Sequence, residues 1–331
     1  MKSKPWLALV LVGILFLGVS CAVPSLTPQP VPEQPTEVTP PATTSPWASA
    51  SYALPTEEGE FKPPMSHAGR KPVETGIVSL EDIGEFTFNA AEVETIRPDI
   101  FQPGHFSYFD ILVYLAERGD IALEYHFDEA MQTHVIDTIN SEVGWWYFAY
   151  YSGGWHERNV FRMDMYPYKD GATIELFRED EGYLEHIYQT FREEVTLLES
   201  NNGEVIIPEV NIRSPQFTYN FQDVVVTPHD VRSDVLQPGV VTALDILLSL
   251  AEQGEISQLK LTWYERIAAA DPVDSYWLER IDAAEAFDRC GFVYETGPRD
   301  FSGFTGSHIH LPSDVRVIIS PEYALWFWIC I

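Results

Sequence analysis

Seven aromatic side chains crowd into eleven residues: Trp145, Trp146, Tyr147, Phe148, Tyr150, Tyr151 and Trp155. Stacking is the chemistry such a cluster offers. On a strand, alternate residues face opposite ways, so one subset enters the core and the other faces outward or against a neighbour. Two readings follow. Trp145, Trp146, Tyr147, Tyr150, Tyr151 and Trp155 form a stacking surface for a planar or sugar-like ligand or a protein patch, or the second subset is buried by another part of the chain. Trp326 and Trp328 share a face further on and pose the same choice.

His308 and His310 lie on one face of a strand in the spacing of a metal pair, but no third ligand stands close by, and no metal is expected. No H-E-x-x-H, G-x-S-x-G or Walker loop occurs. Carboxylates abound, yet acid–base work needs two of them placed in one cleft, and nothing in the sequence selects a pair. No catalytic residue and no cofactor is therefore expected. Cys290 and Cys330 form an even pair suited to an oxidising compartment. A disulfide between two late strands and a pair of buried thiols are both open. No C-x-x-C occurs, so zinc ribbons and thioredoxin chemistry have no support.

The elements that would position these groups come from a duplication. Gln102 to Asp120 and Gln237 to Glu255 match at ten of nineteen positions, at a constant offset of 135. Each copy reads as a Pro-Gly turn, then a capped amphipathic helix. Ser107 with Asp110, and Thr242 with Asp245, have the S/T-x-x-D spacing of an N-terminal cap. Ile111, Leu112, Leu115 and Ala116 share one helical face, as do Ile246, Leu247, Leu250 and Ala251. Gly119 and Gly254 stand where a left-handed C-terminal cap belongs. Two copies of this length point to tandem domains rather than a solenoid.

The chain holds 50 acidic and 20 basic residues, a formal charge of −30 over 331 residues. Such a polyanion repels nucleic acid and anionic lipid, and leaves cations, neutral small molecules and basic proteins as partners. Lys2 and Lys4 precede an apolar run from Trp6 to Val19, the layout of a secretory signal. The run ends in Leu17-Gly18-Val19-Ser20-Cys21, which resembles the lipobox of bacterial lipoproteins, with Gly18 where that family has Leu. The resemblance implies a signal peptide over 1–20, a lipidated Cys21 and an extracytoplasmic, membrane-anchored location on a bacterial cell surface. Residues 21–74 are rich in Pro, Thr, Ser and Glu, and read as a disordered stalk.

Around the first helix, Glu85–Asn89, Ala122–Phe127, His134–Ile139, Gly144–Tyr151 and Ala172–Phe177 read as strands. The helix entry, Gly144-Trp145-Trp146-Tyr147 and Lys169-Asp170-Gly171-Ala172-Thr173-Ile174-Glu175 resemble a β-grasp-like family of bacterial surface domains. That family is similar to the carboxyl-terminal domain of transcobalamin and intrinsic factor. The chain lacks the family's Asn-Gly turn and the second Asp of its D-G-D-x-I-x-W ending. The resemblance implies a non-catalytic surface domain, with a cobalamin-like compound as one candidate ligand.

The expected architecture is α+β, two tandem β-grasp-like domains, each a sheet with one helix across it. The first spans 75–180 and the second, diverged, spans 204–331. Between them, residues 181–203 read as a helical linker, from the period Leu184, Ile187, Tyr188, Phe191 and Val195. The expected function is a lipid-anchored binding or adhesion protein for a small molecule or an envelope protein or glycan. An extracytoplasmic carboxylate-dependent enzyme acting on glycans and a ligand-free spacer are the alternatives.

Overall fold

The computed structural model describes residues 62–151, 160–267, 271–302 and 311–330, and the backbone of two strands, Ala48–Leu54 and Glu157–Arg158; of Tyr150 and Tyr151 only the backbone is described. Cys21, Trp155, His308 and His310 lie outside the described residues. The fold is α+β. After β1 (Ala48–Leu54), β2 (Thr75–Leu80) and β3 (Gly84–Asn89) form an antiparallel hairpin. The chain then enters α1 (Tyr108–Glu117), a second hairpin of β4 (Leu123–Asp128) and β5 (Thr133–Ile139), and β6 (Trp145–Tyr151). The two-residue β7 (Glu157–Arg158) and then β8 (Ala172–Arg178) complete a sheet of order β3-β2-β8-β6-β7, in which β2 and β8 are parallel.

After α2 (Glu181–Ser200) the sequence of elements recurs. The hairpin is β9 (Val205–Arg213) with β10 (Thr218–Val226), and the helix is α3 (Ala243–Glu252). Next come β11 (Leu259–Tyr264), β12 (Ser275–Ile281) and the short β13 (Ala284–Glu285). Finally β14 (Cys290–Gly297) and β15 (Tyr323–Cys330) give a sheet of order β10-β9-β15-β14, again with its first and last strands parallel. The two halves thus share one topology, which the repeated helix announces.

Local chemistry starts and stops both helices. Asp110 donates its backbone N–H to Ser107 Oγ at 3.2 Å, and its carboxylate accepts from Ser107 N at 2.6 Å. Thr242 N donates to Asp245 Oδ2 at 2.7 Å in the same way. Gly119 and Gly254, both at positive φ, end the helices where a Cβ would be strained. Ile111, Leu112 and Leu115, like Ile246, Leu247 and Leu250, are buried against their own sheets. Each such side chain contributes about 1.5–3 kcal/mol.

The halves meet across a local two-fold relation. Gln102 N donates to Val235 O at 2.9 Å, and its counterpart Gln237 N donates to Ile100 O at 2.8 Å. The side-chain amides repeat the exchange, Gln102 to Leu236 O and Gln237 to Phe101 O. Residue i meets j, and the counterpart of j meets the counterpart of i, which is the geometry of an isologous interface held within one chain. Leu311, Val315 and Val317 of the second half join the core of the first.

One expectation for the flanks is corrected. Residues 21–74 are not all disordered stalk: β1 adds antiparallel to β11, and residues 62–74 run as an extended strap across both halves. Low local hydrophobicity conceals this, because the strap is held by partners far away in sequence. Residues 181–203 hold a helix between the two halves, α2, and it packs on the first of them. Leu184, Ile187 and Phe191 of α2 are buried in the first core, and Asp180 caps the helix by accepting from Gly182 N and Tyr183 N.

Candidate functional site

Burial decides where the aromatic cluster goes. Trp145, Trp146 and Tyr147 are all buried. Tyr147 faces Tyr108 of α1 and donates its hydroxyl to Phe161 O at 2.8 Å, and that burial pushes the phenol far above its usual range. Trp146, on the other face of β6, meets Tyr188 and Phe191 of α2. Both faces of the strand are therefore covered, and these three rings present no stacking surface to solvent. Trp326 is buried against Tyr294, while Trp328 sits half-buried against Phe292. Cys290 and Cys330 are joined by a disulfide between directly paired residues of β14 and β15.

A different constellation does come together, once in each half. Arg97 donates to Asp99 from Nε (2.9 Å) and Nη2 (2.7 Å), and to Asp164 from Nη1 (2.7 Å). At the same offset of 135, Arg232 donates to Asp234 from Nε (2.9 Å) and Nη2 (3.0 Å), and to Asp314 from Nη1 (2.9 Å). Asp164 also accepts from His134 N, as Asp314 does from Tyr276 N. Burial works against a charge on Asp164, but the His134 ring and Arg97 hold the carboxyl below its ordinary range. Such buried pairs fix geometry, and breaking one costs about 3–5 kcal/mol because it strands the other charge.

Above each arginine lies an aromatic corner on the side sheet. In the second half, Trp263 and Tyr276 meet edge to face at 5.2 Å, with the Arg232 guanidinium 5.1 Å from the Trp263 centroid. In the first half, Phe127 and His134 meet edge to face at 5.0 Å, with Arg97 5.6 Å from Phe127. The corner and the acid beside it form a groove along the outer side of β11 or β4.

One groove is filled and the other is open. In the second half, the His67 ring stacks on Trp263 at 5.0 Å and Tyr276 donates its hydroxyl to Met65 O. Gly69 N donates to Asp234 Oδ2 at 2.7 Å, and Arg70 donates to Asp274 and Asp271. A Cβ on Gly69 would lie 2.8 Å from Arg232 Nη2, so the close approach requires glycine. β1 then covers the outer edge of β11. Among the described residues nothing equivalent covers the first half. The contrast is plain in exposure: Trp263 is 4% exposed and Phe127 36%, Leu261 is 0% and Tyr125 38%. The side chain of Asp234 is 12% exposed and that of Asp99 62%.

Sequence reasoning missed this site. Arg97, Asp99, Arg232 and Asp234 stand just upstream of the recognised repeat at its own offset, and extending that alignment by five residues would have found them. Three other clefts, including one at the junction of the halves lined by His105, Lys169 and Arg232, have about 10–20 Å³ each, room for a single water. Among the described residues, no group of three or more His, Cys, Asp or Glu could hold a metal ion, and no helix is long and apolar enough to cross a membrane. No family model, no curated protein and no solved structure matches the chain.

Proposed function

We propose that this chain is a non-catalytic binding or adhesion protein of a bacterial cell surface, tethered by a lipid on Cys21, with its ligand site in the open groove of the first half. Both halves are read as β-grasp-like domains: a hairpin, a helix across the sheet, and a last strand parallel to the first. One observation carries the binding reading. The same groove exists twice, and the copy at Trp263 already holds an extended segment of polypeptide while the copy at Phe127 presents its ring and its carboxylate to solvent. Among the described residues, the buried carboxylates Asp110 and Asp245 serve caps, Asp164, Asp274 and Asp314 pair with arginines, and Glu295 accepts from the Tyr323 hydroxyl, which favours binding over hydrolysis. A one-water cleft encloses nothing of cobalamin size, so the surface groove is the better candidate.

The test is capture from native cell envelope by the tagged mature protein. The expected result is a partner that excess untagged protein competes away. Envelope material that yields no competable partner, protein or glycan, overturns the binding reading.

A further inference from the structure

Resting on that reading, we propose that the open groove takes an extended, basic peptide segment of a partner protein, seated as the strap sits in the second half. The filled groove supplies the template. Its occupant, residues 62–72, carries Lys62, Arg70 and Lys71 and no carboxylate, in a chain with 50 acids to 20 bases. It presents a ring to Trp263, a glycine amide to Asp234 two residues later, and then an arginine to Asp274 and Asp271.

The ring and glycine contacts have counterparts in the first half. Phe127 stands for Trp263, His134 for Tyr276 and Asp99 for Asp234. The β5 residue Thr133 aligns with Ser275, but four residues join β4 to β5 where ten join β11 to β12, so the acids that receive Arg70 have no direct counterpart. Gln132 then falls at the place of Asp274, and both take positive φ at the entry to the strand. The rim adds Glu124 and Asp128 on β4. A basic strand gains from this field, and an acidic one is repelled. Upstream of its ring, the ligand extends antiparallel along β4 as β1 does along β11, with backbone hydrogen bonds for affinity and side-chain positions for selection.

A partner protein fits better than a second copy. To lend its strap, a copy must uncover its own Trp263 and free its own Asp234. It then regains the same kinds of contact with a smaller ring, and gives up an intramolecular attachment for an intermolecular one.

The experiment titrates the full chain into a fluorescein-labelled peptide of sequence KPPMSHAGRKP and follows anisotropy. We expect saturable binding that weakens about tenfold or more on Asp99→Asn, through loss of a charge-assisted hydrogen bond. Phe127→Ser, or a peptide with alanine for its glycine, weakens it likewise. The exposed control Val225→Ser in the second half leaves it unchanged. Asp99 and Phe127 are both solvent-facing, and unaltered circular dichroism confirms that the variants fold. Absence of saturable binding overturns the proposal. So does binding that survives Asp99→Asn and Phe127→Ser but is lost in Asp234→Asn, which means displacement of the strap. Concentration-dependent dimers that Asp99→Asn dissolves would assign the groove to a second copy, and overturn the choice of a separate partner. If the peptide fails while envelope capture succeeds, the groove assignment falls and the surface-binding reading stands.

Discussion

Gly69→Ala tests whether the strap is held in the second groove as a ligand is held. The strap's Gly69 amide donates to the Asp234 carboxylate at 2.7 Å. An added Cβ would meet Arg232 Nη2 at 2.8 Å and Asp234 Oδ2 at 3.0 Å. Neither atom can give way cheaply, because Arg232 is pinned by Asp234 and Asp314. The backbone must therefore lift, and the charge-assisted bond from Gly69 N is lost, at a cost of about 1.5–3 kcal/mol. Arg70 N and Nε, which donate to Asp274, loosen with it. Hydrogen exchange reads the effect at the Arg70 amide, which the substitution does not touch. Opening of the strap becomes about 10- to 150-fold more frequent, and exchange there accelerates by the same factor. Amides of β2 and β8, in the first half, keep their protection. If the Arg70 amide keeps its protection in the variant, the groove accommodates a side chain at that position, and the requirement for a glycine in any ligand of the first groove is wrong.

Three further outcomes concern stability. Burial between the halves, with Arg232 and Lys71 opposing the pull of Asp234, lowers His105 from 6.5 to about 4. The unfolded chain then binds a proton that the native chain refuses, so this contribution is fully present above pH 6.5 and is lost as pH falls toward 4, about 3 kcal/mol in all. Urea unfolding at pH 7 and pH 4.5 should show a smaller acid loss in His105→Leu, and an equal loss refutes the assignment. Reducing Cys290–Cys330, which closes a loop of 40 residues, should cost about 4 kcal/mol in the chain-entropy model; a denaturation midpoint indifferent to reductant refutes it. Asp245→Ala should cost about 2–4 kcal/mol, because it strands Thr242 N and His229 N as well as removing a cap, and urea midpoints check it against Asp245→Asn.

How much of this was legible follows from where the information sits. The helices α1 and α3 were readable because turn, cap, apolar face and stop all lie within nineteen residues. The central strand β9 was not, because Pro208 interrupts it and proline argues for an edge. The structure accommodates Pro208 outside the paired positions: Glu209 pairs with Gln222 and Ile207 with Val224, leaving Asp223 opposite at positive φ. In the candidate site, Arg97 and Asp99 recur as Arg232 and Asp234 at a fixed offset, a signal within reach of an alignment. Asp164 and Asp314 leave no such trace, since each meets its arginine across 67 or 82 residues of chain. The strap was hidden most deeply. Its proline-rich composition describes what it cannot bury locally, and its partners lie between 32 and 211 residues away.

An open strand edge is ordinarily a route to aggregation, and the composition of β4 bears on why this one stays open. It is six residues long and carries Glu124, His126 and Asp128, with His126 held 3.0 Å from Asp137 on β5. Short, charged edges resist pairing with copies of themselves. Two β4 strands brought side by side would face acid with acid, in a protein that already repels its own kind through a charge of −30. The opposite edge problem, at β11, is solved by covering it: β1 is uncharged, and it pairs with a strand whose centre, Leu261 to Trp263, is uncharged and buried. The two edges thus differ in the selectivity they impose. β11, which carries no acid, accepts the neutral strand that the chain itself supplies, whereas acidic β4 admits only a segment that brings positive charge. Reversing the sign at Glu124 and Asp128 with lysine should therefore abolish peptide binding without touching the second groove. Sedimentation of that double variant should still show a monomer, since lysine on an edge strand also repels its own copy.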